Sequence, residues 1–139
     1  METKRVDGKV VRLAHAGGVL LGARVEIHAN AVVVRAVFGG FTEIGEDTIV
    51  GSLVNVAHGV RIGRRCFLPD TCMLAGAVTV GDDVVIDPNA TIAHEVHLGD
   101  GCRITLGAVV TRDVPPGVTV SGNFAIPHDR FLEFIRKIR

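Results

Sequence analysis

Aliphatic residues recur at every sixth position over most of this chain. Ile44, Val50, Val56, Ile62, Leu68, Leu74, Val80, Ile86, Ile92, Leu98 and Ile104 make eleven consecutive hexads without a slip. A shorter run at Leu21, Ile27 and Val33 precedes them, and the stretch around Gly39 and Gly40 breaks the phase by one residue. The fifth position of each hexad is small or β-branched: Val25, Ala31, Val37, Thr48, Val54, Val60, Cys66, Cys72, Val78, Val84, Ala90, Val96, Cys102 and Ala108. Turn residues cluster behind the aliphatic, as in Gly81-Asp82-Asp83, Asp87-Pro88-Asn89 and Gly99-Asp100-Gly101. A fixed short period is the sequence mark of a solenoid. Each hexad supplies one short strand, which favours β-branched residues, and one corner, which favours Gly, Asp and Asn. The aliphatic points inward and the small fifth residue fits beside the next corner. Three hexads close a triangular coil of about 18 residues, and stacked coils pair as parallel strands about 4.8 Å apart.

The pattern divides the chain in three. Residues 1–17 precede the hexads and read as an N-terminal cap or a first irregular coil. Residues 18–122 form the β-helix, and residues 123–139 a C-terminal loop and short helix. Pro115, Pro116 and Gly117 mark a loop that leaves the regular coils. Phe131, Phe134, Ile135 and Ile138 then fall at helical spacing. Arg136, Lys137 and Arg139 sit in the last turn, where they complement the helix dipole. The helix is expected to pack on the coils or on a neighbour, and its basic tip offers a second use as a dock for an acidic carrier protein or a phosphate.

Composition narrows the picture further. The chain has no Trp or Tyr and only 6 Phe, against 17 Gly. Its core therefore needs many small layers in place of large rings. The 15 basic and 15 acidic side chains balance, which argues against a nucleic-acid or anionic-membrane binder. No apolar run has the length of a membrane span. The polar stretch from Met1 to Arg12 has no signal-peptide core, and the expected location is cytoplasmic. Three cysteines cannot all pair within one chain. All three occupy the small fifth position, and they read as reduced core residues.

Candidate chemistry comes from the histidines. His58 and His94 are each the third residue of a hexad, and they stand 36 positions apart, two whole coils. The period puts them on one corner of the prism, about 10 Å apart along it. Gly76 lies between them, one coil on from His58. An imidazole titrates near neutrality and suits general-base work. A Gly lets a substrate approach the backbone closely, and its N–H would then serve as an oxyanion donor.

The residues from about 18 to the end resemble the β-helical part of the UDP-3-O-acylglucosamine N-acyltransferase family of lipid A biosynthesis. The resemblance is carried by Gly18-Val19 through Ile27-His28-Ala29-Asn30 and by Ile44-Gly45 through Leu53-Val54-Asn55-Val56-Ala57-His58-Gly59-Val60-Arg61-Ile62-Gly63. Ala75-Gly76-Ala77-Val78 and Val120-Ser121-Gly122-Asn123 add to it. The run Gly107-Ala108-Val109-Val110-Thr111-Arg112-Asp113-Val114-Pro115-Pro116-Gly117 is similar to a donor-side loop found across the hexapeptide-repeat acyltransferases. The resemblance implies a left-handed parallel β-helix, although parallel crossovers are normally right-handed. It implies a homotrimer with sites between subunits. It implies acyl transfer from acyl-CoA or acyl carrier protein, used as a co-substrate and not held permanently, to the amine or hydroxyl of a sugar-like or small-molecule acceptor. His58 would be the general base and Gly76 the oxyanion donor. Asn55, His94, Glu95 and Arg35 would face the acceptor, and Ala77, Gly107, Ala108 and Arg112 the donor.

The sequence also departs from that family. Its nucleotide-contacting N-terminal domain has no counterpart here. Val34-Arg35-Ala36 stands where the family has Asp-Arg-Gly, and Gly51-Ser52 where it has Asp-Asn. Gly59 replaces the Asn after the histidine, and His94-Glu95 replaces a Gly-His pair. These changes point to a different, smaller acceptor and leave the base in place. Two rival classes share the fold. A metalloenzyme of the γ-carbonic-anhydrase type needs three converging His ligands, and the one close pair here, His94 and His97, has the wrong spacing for it; no metal is expected. A non-catalytic trimeric scaffold or binding protein needs no site at all.

Overall fold

The computed structural model describes residues 3–138. Met1, Glu2 and Arg139, the last of them part of the basic tip read above, lie outside the described residues. Each hexad folds as the pattern predicts. A two-residue strand places one side chain out and the aliphatic in, as at Asn55–Val56, Met73–Leu74 and Thr91–Ile92. These strands stack into three sheets of seven, five and five strands. Apart from an antiparallel last strand at Ile126–Pro127, pairing is parallel, and through the regular coils it runs in register at intervals of 18, so that Val56 meets Leu74 and Leu74 meets Ile92. Inward aliphatics from Ile44 to Ile104 are all 6% exposed or less. The fifth positions fill the space between them, and Cys66, Cys72 and Cys102 are buried and unpaired. Thr48 shows how a polar residue is tolerated there. Its hydroxyl donates to the Gly63 carbonyl at 2.9 Å and accepts from the Cys66 N–H at 3.1 Å, which offsets the cost of burying it.

The fourth position of each hexad turns the corner in the left-handed backbone region. Asp47, Gly59, Asp83, Asn89, Gly101 and Gly107 suit that conformation. Leu53 and Ala77 adopt it at φ 61° and 59° with side chains that gain nothing from it.

The regular coil is altered near both ends. Val33 pairs with Val56, 23 positions on, because the loop at residues 34–40 lengthens the first coil. The five added residues are one short of a whole hexad, which is the phase shift of one residue seen in the sequence. At the other end Ile92 still pairs with Val110, 18 positions on, but Leu98 bridges to Val114, 16 positions on, so the coil is two residues shorter between Val110 and Val114.

The N-terminal segment is an antiparallel hairpin, β1 (Thr3–Val6) and β2 (Lys9–Arg12), exposed along its whole length. The inward residues Leu21 and Ile27 stay 47% and 39% exposed, which leaves that end of the core open. The C-terminal helix α1 (His128–Ile138) forms where the spacing placed it. It rests lightly on the last coil: the Phe131 ring fills the space beside Gly122, and His128 Nδ1 lies 2.6 Å from the Ser121 hydroxyl. Phe134 and Ile138 remain exposed. Among the described residues no helix is long and apolar enough to cross a membrane.

Two predictions follow from this packing. Burial disfavours the thiolate, pushing Cys72 up to about 12 and Cys102 to about 11, with Cys66 raised in the same direction. Because the thiolate is the nucleophile, iodoacetamide at pH 8 should leave all three unmodified in the native protein and label them after unfolding; mass spectrometry reads the count. Leu53 is 59% exposed, so its side chain has little packing to lose. Leu53→Asn should relieve left-handed strain and raise stability by up to about 1 kcal/mol, seen as a higher Tm in thermal unfolding.

Candidate active site

The stacking register gives the three corners of the prism different chemistry. One is an ion ladder. Arg24 pairs with Asp47 at 2.6 Å, Arg64 with Asp82 at 2.7 Å and Arg65 with Asp83 at 2.7 Å. The guanidinium hydrogen bonds hold these carboxyls below their usual range. Apart from the half-buried Asp82 these groups are solvent-exposed, so the ladder adds modestly to stability.

The corner that carries His58 is different. The pairs Val33–Val56, Val56–Leu74, Leu74–Ile92 and Ile92–Val110 put Arg35, His58, Gly76, His94 and Arg112, each two residues further on, in one column. The imidazoles of His58 and His94 approach to 6.5 Å between ring centroids, closer than the two-coil spacing of about 10 Å. The reason is Gly76. Its position is buried beneath the His58 ring, and a Cβ there would lie 2.6 Å from both Cε1 and Nε2 of His58 and 3.2 Å from His94 Nδ1. The sequence reading gave this glycine to a close approach by substrate. The structure instead fills the missing side chain's place with the imidazole, which leaves less room over the backbone than expected.

The loop inserted at residues 34–40 falls on this same corner. Ala36 and Val37 are buried, while Phe38 at the tip is 92% exposed. The loop is tied down by Ala16 and Gly17, whose N–H groups donate to the carbonyls of Val37 and Ala36. Thr42 is fully buried and links the loop to the site: its hydroxyl donates to the Val34 carbonyl at 2.6 Å and accepts from Gly59 N–H at 2.8 Å. His15 stands edge-on to His58 at 6.2 Å between ring centroids, and its Nδ1 lies 2.9 Å from the Arg35 carbonyl. Arg12, Leu13, Ala14, His15, Val34 and Arg35 line a cavity of about 360 Å³ beside it.

Other sequence candidates fall around this column to different degrees. His94 and Glu95 are exposed, with His94 Nε2 3.4 Å from Glu95 Oε1. Asn55 lies on the outer face of the strand that precedes His58. Ala77 follows Gly76 directly, and its N–H donates to the His58 carbonyl at 3.0 Å. Gly107 belongs to another corner, donating to the Pro88 carbonyl at 3.0 Å. Ala108 is 0% exposed, so its side chain is part of the core and it can face a donor only through its backbone. The small fifth position had marked it as inward-facing. His15 and Thr42 were missed. His15 lies outside the hexads, where the period says nothing. Thr42 had one signal, a hydroxyl at a fifth position. Among the described residues, no group of three or more His, Cys, Asp or Glu is placed to hold a metal ion.

Fold and repeat together define a hexapeptide-repeat protein, a left-handed parallel β-helix with a short C-terminal helix. Residues 77–112 match the family described as bacterial transferase hexapeptide (six repeats). The chain is 50% identical over 123 residues to the UDP-3-O-acylglucosamine N-acyltransferase of Caulobacter vibrioides, covering 88% of this chain and 36% of that protein. It is 47% identical over 133 residues to UDP-3-O-acylglucosamine N-acyltransferase 3 of Gloeobacter violaceus, covering 96% of this chain and 38% of that one. The chain thus spans little more than a third of the curated relatives it matches. Among solved structures it is similar to PerB from Caulobacter crescentus, determined with CoA and GDP-perosamine. That match has a TM-score of 0.72 and 28% identity, over 81% of this chain and 55% of that one.

A Gly76→Ala variant tests the packing of the column. The added Cβ should push the His58 ring aside while the fold persists, since the corner backbone is held by its own ladder. A crystal structure of the variant with the ring unmoved would contradict this account of Gly76.

Proposed function

We propose that this chain is the catalytic β-helix of a thioester-dependent acyltransferase. It moves an acyl group from acyl-CoA or acyl carrier protein to the amine or hydroxyl of a sugar-like or small-molecule acceptor, in the cytoplasm. The observation that carries the reading is the His58 imidazole laid across Gly76, at a corner where an inserted loop and a cavity meet. The names of the relatives, and the CoA and nucleotide sugar held by PerB, support the same class.

In this mechanism His58 takes the proton from the acceptor nitrogen or oxygen as that atom attacks the thioester carbonyl. The new bond forms, and the carbonyl electron pair moves onto oxygen. The N–H groups of Ser52, Arg64 and Asp82, each third in its hexad, are capped by Asp side chains one coil on. At Gly76 the residue one coil on is His94, so by the same geometry its N–H points to the His94 side of the cleft, where it would stabilise the oxyanion. Collapse of the intermediate breaks the C–S bond, and the thiolate recovers the proton from His58. Arg35, Asn55, His94 and Glu95 form the acceptor side. Ala77, Arg112 and the Gly107 backbone form the donor side, with the groove completed by a neighbouring subunit of a homotrimer.

Incubating the protein with acyl-CoA and acyl-carrier thioesters, together with a panel of amino-sugar acceptors, should release thiol in an acceptor-dependent manner. His58→Ala should lower that rate by about 10²–10⁴-fold with the oligomeric state unchanged. No release across the panel, with intact trimers of both proteins, would favour the scaffold.

A further inference from the structure

We propose that His15 is a positioning residue for His58, a role that rests on the acyl-transfer reading above. His15 comes from the segment before the first coil, outside every hexad, yet its ring meets the candidate base edge-on at 6.2 Å. Its own orientation is fixed. A carbonyl oxygen only accepts, so the 2.9 Å contact to the Arg35 carbonyl makes Nδ1 of His15 the protonated nitrogen and a donor. The Arg35 carbonyl is itself held in place. Ala36 and Val37 are buried next to it, and Ala16 and Gly17 bond the same stretch of loop. His58 is therefore held between two surfaces: the His15 ring, nearly perpendicular to it, on one side, and the bare backbone of Gly76 with His94 beyond it on the other. A base held within a narrow range of orientations does not have to be reoriented as the acceptor attacks, which is where rate is gained. Because His15 also lines the 360 Å³ cavity with Arg12 and Arg35, the same contact sets the wall between that cavity and the base.

Three substitutions separate this role from a merely structural tie. His15→Ala removes both the ring and the bond. His15→Phe keeps a ring edge against His58 and loses the bond to Arg35. His15→Asn keeps a donor for the Arg35 carbonyl and loses the ring. If the ring positions His58, His15→Ala and His15→Asn lower kcat by about tenfold to a hundredfold, with the KM for the thioester unchanged, and His15→Phe recovers most of the rate. A tie that only anchors the loop gives the reverse order, with Asn rescuing and Phe not; that result overturns the proposal. A second readout needs no turnover. Diethyl pyrocarbonate modification of His58, followed by mass spectrometry at matched Tm, should run several-fold faster in the Ala and Asn variants than in the native protein and the Phe variant. Equal His58 reactivity in all four proteins also overturns it. If the native protein turns over no thioester, the acyl-transfer reading fails on its own, while the reactivity order still decides whether His15 holds His58.

Discussion

The stacking register is the constraint on which everything else in this molecule depends. Each coil bonds to the next through short parallel strands whose partners lie 18 residues away, and the inward aliphatic of one coil sits on that of the coil before. Backbone hydrogen bonding and burial of the aliphatic column are satisfied by the same register. A slip of one residue would turn every inward side chain outward. Because that register is so strongly held, any residue type repeated at the period becomes a column on the surface. The protein can then write different chemistry on each corner without altering the core.

The contrast between two corners shows how this works. At one, alternating Arg and Asp pair across coils and neutralise each other. At the other, two imidazoles bracket a residue with no side chain, and the absent Cβ lets the rings come together. The first corner closes on itself. The second sets imidazoles side by side next to a cavity lined by His15. The loop of residues 34–40 enters at this second corner. The buried hydroxyl of Thr42, in the strand that follows it, ties the loop's Val34 carbonyl to the residue after His58.

Not every position answers to the coil. The hairpin at residues 3–12 packs on nothing that buries it, and the first coil keeps Leu21 and Ile27 exposed. Solenoids commonly finish with terminal repeats whose outer face is polar; this end is apolar instead. Strain is likewise tolerated locally. The corner geometry imposes left-handed backbone at each hexad from Ile44 to Ile104, and Leu53 and Ala77 accept it because the ladder on either side leaves them no alternative.

The sequence by itself determined the architecture. A period of six with an aliphatic at one position and a small residue at another specifies strand, corner and coil, since both restrictions come from the core alone. It also placed His58, Gly76 and His94 on one corner, because the column follows arithmetically from the period. It marked the cysteines and Ala108 as inward-facing, and all four are buried. Only the tertiary structure decided what lies across from those residues. The place of His15 beside His58 depends on how a non-repeating segment folds back on the first coil, and no period reports that. The use of Gly76 as a seat for an imidazole depends on which way a ring leans into space left by a missing Cβ. Such contacts are set by packing between segments far apart in the chain, where local patterns of hydrophobic and polar residues carry no information.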